Sequence, residues 1–398
     1  MIAIPIPPEP ALLRPAPPAL VAPAPRQVSF GLVEGRVNAG TVRIAVFVDG
    51  ADVANRSTPR GRFRLRVTLP THDVTVKVAA YGPGGMSAAT TVSPVFGLPR
   101  AALPTATLGR LDPVLQRRLR TRGSAFPGIT AFYVQNLRTG AGAAWNARAR
   151  FPAASTVKLG IAIEVMRTLS GLPAQGTEVD RLLRSMLQFS SNQAANELLV
   201  WLSGSTGAGA ARVNATLRRA GITDTELYGG YIVGTGLAAG RPIPVGVVES
   251  PSLGIGKYTT AWDMARMFKY LHLATAGRGP LVGRLRGFTL ADARRLLYIL
   301  AHSQDHGKLD RFVNRSGVAV PHKAGWILTA RHDTGLVYSS DGVFVAAVMT
   351  WNGSGISMSA DELAGRIAKV ALDRFTAAAA AAAATPTSTR ATFLSRRL

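Results

Sequence analysis

A serine and a lysine stand three residues apart at the head of an apolar segment, Ser155-Thr156-Val157-Lys158-Leu159-Gly160-Ile161. On a helix such positions share a face, which brings the Lys158 amine within reach of the Ser155 hydroxyl. A neutral amine there can take the serine proton, and a helix N-terminus with apolar walls disfavours the charged ammonium. Serine is also a preferred helix cap, so the pair alone does not define a nucleophile. A second hydroxyl and an amide, Ser190 and Asn192, fall in a short connection between two helical segments. From one cleft the hydroxyl can relay a proton to a leaving group and the amide can bind a carbonyl, although Ser and Asn are also common in capping turns. The third group is His322-Lys323-Ala324-Gly325-Trp326, which follows Pro321 at the end of a strand expected over Val318–Lys323. A strand beside the serine offers a backbone N–H to an oxyanion, and Lys323 supplies positive charge for a substrate carboxylate. Gly325 permits close approach.

Scarcity gives the lysines weight. The chain carries 46 Lys and Arg against 22 Asp and Glu for a net charge of +24, yet only seven of the basic residues are lysine and 39 are arginine. The arginines are dispersed and sit on no recognisable nucleic-acid module, so nucleic acid is not an expected partner. A diffuse positive surface suits anionic cell-envelope polymers better. The absence of cysteine excludes disulfides, Cys-ligated zinc, iron–sulfur clusters and thiol catalysis, leaving serine as the nucleophile. With 47% hydrophobic and 17% charged residues the 398-residue chain can bury a sizeable core. No apolar run reaches the roughly 18 to 20 residues of a membrane span.

These groups need elements to position them. Residues 1–27 alternate Pro with apolar residues and read as an extended arm; they lack the basic start and unbroken apolar stretch of a secretory signal. Over 28–100, period-two runs at Leu32–Val37, Val42–Val48, Gly61–Leu69, Val74–Ala80 and Thr90–Phe96 predict a small β-sandwich. Its pattern from Gly35 and Val37 to Gly61, Phe63, Leu65, Val67 and Leu69 resembles bacterial immunoglobulin-like modules, which implies a spacer or adhesive unit. Residues 101–107 read as a linker. From 108 to 376 an opening helix, a hairpin at Ile129–Asn136 and Gly142–Asn146, several helices, three strands and a closing helix at Ser359–Phe375 predict an α+β domain. Its antiparallel sheet is assembled from both ends of the domain and packs with helices. The alanines from Ala377 extend that helix or fray, and 377–398 reads as a flexible tail.

The three groups together resemble the serine β-lactamase and penicillin-binding-protein superfamily, whose signatures are S-x-x-K, S-x-N and K-T-G, and most closely its class A β-lactamase-like members. The flanks agree: Phe151-Pro152-Ala153-Ala154 before Ser155, Thr259-Thr260-Ala261-Trp262-Asp263 further on, and His332-Asp333-Thr334-Gly335 after the third group. The resemblance implies that Ser155 is acylated, Lys158 is the base, Ser190 relays a proton and Asn192 binds substrate. It implies that Lys323, with Ala324, Gly325 and Trp326, forms the substrate-binding strand, and that the N–H groups of Ser155 and Trp326 form the oxyanion hole. The expected activity is hydrolysis of β-lactams or related amides and esters. The alternatives are a D-Ala-D-Ala peptidase or esterase acting on peptidoglycan-like substrates, and a weakly catalytic envelope-binding protein. An extracytoplasmic location and a monomer, with no cofactor, are expected.

Two departures stand out. Ala324 replaces the usual Thr or Ser, removing a hydroxyl that helps hold a carboxylate. The deacylating Glu of the pattern E-x-x-L-N is matched only poorly, by Glu249 and more weakly by Glu226. Without that base an acyl-enzyme turns over slowly. His302 and His306, near Asp305 and Asp310, lack the Glu of a zinc-protease motif and read as a solvated helix end rather than a metal site. His332 and Asp333 read as braces of the strand turn.

Overall fold

Residues 336–349 alternate with period two between two apolar clusters, and this alternation sets the architecture. In the computed structural model, Val337, Phe344, Ala346 and Val348 face one cluster, while Leu336, Tyr338, Val345, Ala347 and Met349 face the other. A sheet buried on both faces must be covered on both. The structure describes residues 14–57, 61–234, 240–245 and 253–384.

The N-terminal region is all β: β1 (Ala19–Ala22), β2 (Gln27–Ser29), β3 (Leu32–Arg36), β4 (Arg43–Val48), β5 (Ala51–Ser57), β6 (Arg62–Arg66), β7 (Asp73–Tyr81) and β8 (Ser87–Gly97). They form a three-stranded sheet, β1-β3-β6, and a five-stranded sheet, β2-β8-β7-β4-β5, around Val33, Ile44, Val46, Phe63, Val76, Val78 and Val95.

The rest of the described chain runs β9 (Arg110–Leu111), α1 (Pro113–Ser124), β10 (Ile129–Asn136), β11 (Ala141–Trp145), β12 (Phe151–Pro152), α2 (Lys158–Thr168), α3 (Glu178–Gln188), α4 (Asn192–Ser203) and α5 (Thr206–Ala220). Then come β13 (Arg241–Pro242), β14 (Ile255–Gly256), β15 (Tyr258–Thr259), α6 (Ala261–Ala274), α7 (Pro280–Arg284), α8 (Leu290–Ala301), β16 (His322–Ile327), β17 (Ala330–Ser339), β18 (Gly342–Trp351) and α9 (Ser359–Ala384). The main sheet has the order β16-β17-β18-β10-β11-β9, joining both ends of the domain. Leu115 and Leu119 of α1 and Ile367, Ala371, Leu372 and Phe375 of α9 cover one face. The second face packs on α2, α6 and α8, and α2 is buried continuously from Lys158 to Met166.

Several expectations change. The arm expected over 1–27 is not free at its described end, because Ala19–Ala22 pairs with β3. The N-terminal sheets also pack on the α+β region. Val28, Phe30, Phe96 and Leu98 join the apolar cluster of α6 and α8, and Asp73 accepts hydrogen bonds from Tyr298 and His302. The 101–107 linker is pinned as well, with Thr107 O accepting from Lys269 Nζ at 3.0 Å. The strand expected over Val318–Lys323 lies further on, at His322–Ile327, with Ala319 making only an isolated bridge to Tyr338. Pro321 has no N–H to give a ladder, so regular pairing starts after it. Of the two alternatives for the alanines, extension holds: the closing helix continues through Ala384, consistent with alanine's high helix propensity, so 377–384 is helix rather than flexible tail. Residues 385–398 and 1–13 lie outside the described residues.

Candidate active site

The Ser155 turn is held from three sides. His332 Nε2 contacts Pro152 O at 2.7 Å, and Thr350 N donates to His332 Nδ1 at 3.2 Å. Burial holds this imidazole neutral, with its pKa lowered to about 4. His332 therefore braces the strand that leads into the turn. Ala153 N donates to Lys257 O at 2.8 Å, and Thr156 Oγ1 to Ala153 O at 2.6 Å. Ala154 sits at φ +47°, a left-handed conformation costly for a residue with a Cβ, immediately before the serine. The helix expected from 155 begins at Lys158, because the bonds from Lys158 N to Ser155 O and from Gly160 N to Val157 O are the tighter i to i+3 kind. Ser155 thus lies in a turn at the mouth of α2, half-buried.

The edge strand β16 lies against this turn. A Cβ at Gly325 would come within 2.6 Å of Ser155 N and 2.8 Å of Thr156 N, so only glycine lets the strand run this close to the backbone amides. Trp326 is 61% exposed at the rim, and Ala324 is fully buried.

Lys158 is fully buried. Its Nζ donates to Ser190 O at 2.5 Å and to Asn192 Oδ1 at 2.7 Å. Among the described residues no carboxylate hydrogen-bonds to it. Burial first, then the nearby charges of Lys323 and Lys257, pull its pKa down to about 6. At neutral pH it is largely a free amine, with two hydrogens and one lone pair. Both hydrogens are committed to the two carbonyl oxygens, and the lone pair is left to accept.

The 190s turn divides its labour. Ser191 is the helix cap, accepting from Ala194 N at 3.1 Å, which frees Ser190. Ser190 sits at φ +59° and accepts from Lys323 Nζ through Oγ at 2.9 Å. Lys323 also donates to Ala324 O at 2.7 Å. Burial lowers its pKa to about 8, while Asp305 and Asp333 pull the other way. Asn192 accepts from Lys158 through Oδ1, and its Nδ2 donates to Ile232 O at 2.8 Å. It therefore ties Lys158 to the 230s loop, a positioning task beside the expected substrate contact.

Two further residues stand beside Lys158, and no motif in the sequence places them there. Tyr231 is clamped to α4 by a reciprocal pair with Asn196, at 2.6 and 2.9 Å. Its ring centroid lies 4.6 Å from Lys158 Nζ and 4.6 Å from Lys257 Nζ. The Tyr231 hydroxyl is buried without a hydrogen-bond partner in the described structure, and burial pushes its ionisation above the ordinary range. Lys257 donates to Gly230 O at 2.6 Å, and burial lowers its pKa to about 8. Lysine scarcity was the signal: Lys257 stands two residues before Thr259-Thr260.

Of the two expected acids, only Glu226 lies among the described residues, and it is bonded to Tyr258 rather than to Lys158, accepting from Tyr258 Oη at 3.1 Å. Glu249 lies outside the described residues. His302 and His306 do not act together either: His302 faces Asp73 at 3.0 Å, whereas His306 faces Asp310 at 3.1 Å.

A model of the beta-lactamase enzyme family matches residues 114–171 and 169–375, well over half of the chain. The chain belongs to that family. Among solved structures it is similar to PBP-A, with 20% identity and a TM-score of 0.52 over 69% of this chain and all of that one. A class A beta-lactamase from Mycobacterium abscessus gives 18% identity and a TM-score of 0.51 over 66% of this chain and 99% of that one. A variant of the last common ancestor of Gram-negative class A beta-lactamases gives 19% and 0.51 over 67% and 99%. These likenesses establish the β-lactamase/transpeptidase-like α+β fold. A comparison with curated protein sequences finds no match. Family membership makes the chain a β-lactamase-like hydrolase, and no helix among the described residues is long and apolar enough to cross a membrane.

Proposed function

We propose that the protein is a serine hydrolase that forms an acyl-enzyme on Ser155 with β-lactams or related amides and esters, and releases the acyl group slowly. The observation that carries this reading is the buried Lys158, which among the described residues bonds to no carboxylate, with both amine hydrogens committed and its lone pair unspent. Lys158 takes the Ser155 proton as the hydroxyl oxygen attacks the carbonyl carbon. The oxyanion that forms is received by the backbone amides where β16 meets the Ser155 turn. The C–N bond then breaks as Ser190, whose Oγ accepts from Lys323, passes its hydroxyl proton to the leaving nitrogen and takes one from the Lys158 ammonium, which returns Lys158 to the free amine. Lys323 draws the substrate carboxylate.

Slow release is supported by the described residues beside Lys158, where Tyr231 rather than a carboxylate is found. Tyr231 presents a ring and a buried neutral hydroxyl there, which cannot take a proton from water as a carboxylate does. This favours penicillin-binding or peptidase-like behaviour over efficient β-lactam turnover. PBP-A, which shares the fold, has a variant solved as an acyl-enzyme with penicillin G. The natural setting is the cell envelope, where the family's substrates lie. The N-terminal sandwich, docked on α8, serves as an immunoglobulin-like accessory module.

Intact-mass spectrometry after penicillin exposure tests this. Wild type gains one penicillin mass that persists, and Ser155→Ala gains none. Rapid loss of the adduct would point to a working deacylation base, and labelling of Ser155→Ala would remove the assignment.

A further inference from the structure

We propose that His306, Asp310 and His322 form a site for a divalent cation of the zinc class, with Asp333 orienting His322. One donor atom from each of the three lies within 4.8 Å of the others. The two buried members are each half committed and half open. Asp310 Oδ1 accepts from the N–H groups of Gly307 and Lys308, both at 2.9 Å, which fixes the carboxylate and leaves Oδ2 toward His306 Nδ1 at 3.1 Å. The His322 ring is 2% exposed, and its Nδ1 lies 2.8 and 2.9 Å from the two carboxylate oxygens of Asp333, leaving Nε2 to bind. Asp333 is itself held by Leu309 N at 3.0 Å.

A carboxylate on the far nitrogen of a histidine is the usual arrangement behind a metal-binding imidazole, fixing its tautomer and raising its basicity. Two imidazoles and one carboxylate suit zinc and its neighbours better than calcium or magnesium, which prefer all-oxygen shells. Tetrahedral coordination brings ligand atoms to about 3.3 Å from one another, given metal–ligand lengths of about 2.0 to 2.2 Å. The His306 side chain is 64% exposed and, among the described residues, held only by its Asp310 contact, which a shared cation would replace as the ring turns inward. Charge is also suitable. Asp305, Asp310 and Asp333 outnumber Lys308 and Lys323, and Lys308 is already paired with Asp305.

The location gives the site consequence. His322 immediately precedes Lys323, so a cation here ties the 305–310 loop to β16 beside the expected substrate cation. Nothing in this inference depends on Ser155 being acylated.

The test uses the tag-free full-length chain dialysed against Zn2+ and assayed for metal by mass spectrometry, with Co2+ as a spectroscopic substitute. Wild type is expected to retain one equivalent and to give the visible band of tetrahedral Co2+. His306→Ala, a change at an exposed side chain, loses both, while His302→Ala keeps both because that histidine faces Asp73. Asp333→Asn weakens Zn2+ by about 10- to 100-fold. Absence of bound zinc in wild type, or unchanged zinc in His306→Ala, overturns the proposal. Equal loss in His302→Ala does so too.

Discussion

Two fully buried lysines reach Ser190 from different walls of the same cleft, and their surroundings could hardly differ more. Lys158 comes from α2 and meets carbonyl oxygens, an aromatic ring and two other cations, with a pKa near 6. Lys323 comes from β16, with Asp305 and Asp333 behind it and a pKa of about 8. Burial penalises the ammonium at both positions, and the carboxylates partly offset that penalty at only one. One lysine is thereby largely neutral at pH 7, as the proposed base must be, and the other keeps much of its charge. In the proposed mechanism the same residue type serves two functions, because among the described residues carboxylates act on only one of them.

Removing Lys158 should break this division most severely. Lys158→Met is expected to lower the acylation rate by about 10²- to 10⁴-fold, the usual worth of a positioned general base, as read by stopped-flow with a chromogenic β-lactam. Gly325→Ala drives a Cβ into the Ser155 backbone. It should cost about 10²-fold in acylation by displacing the turn, and about 1–3 kcal/mol of stability by denaturant titration. Full activity in that variant would mean β16 does not set the serine's position.

Smaller changes sharpen the contrast. Asp333→Asn takes a carboxylate from behind Lys323, so its pKa should fall toward that of Lys158. The alkaline limb of binding for carboxylate-bearing substrates should then move to lower pH, with KM rising more than kcat falls. Lys257→Met removes a positive neighbour of Lys158 and makes protonation of Lys158 easier. The acid limb of acylation should move to slightly higher pH, and an unmoved limb would exclude Lys257 from tuning the base.

Much of the fold and of the candidate site's placement is legible in the sequence, because the candidate groups sit at the ends of elements, where local rules apply. Ser155, Ser190 and Lys323 each lie where an apolar run starts or stops, and the α+β order followed from periodicity. What was hidden is tertiary. Tyr231 and Lys257 meet Lys158 only after the loop following α5 folds back onto α4, and no spacing announces it. Val318 and Val320 suggested a strand, but the paired residues are the polar and buried His322 and Lys323, whose burial depends on partners in β17 and the 305–310 loop. Ala51–Ser57 was passed over because an exposed edge strand carries no apolar alternation. The Pro-rich start hid Ala19–Ala22, since an edge strand tolerates the prolines around it.

The pH dependence of Ser155 acylation tests the central claim most directly, measured as the rate of penicillin adduct formation in wild type and Lys158→Met from pH 4 to pH 10. A rate that rises as Lys158 loses its proton near pH 6 and declines as Lys323 loses its own near pH 8, with the acid limb gone in Lys158→Met, is the predicted result. A wild-type rate that stays flat across the acid range, or an acid limb that survives Lys158→Met, would contradict it.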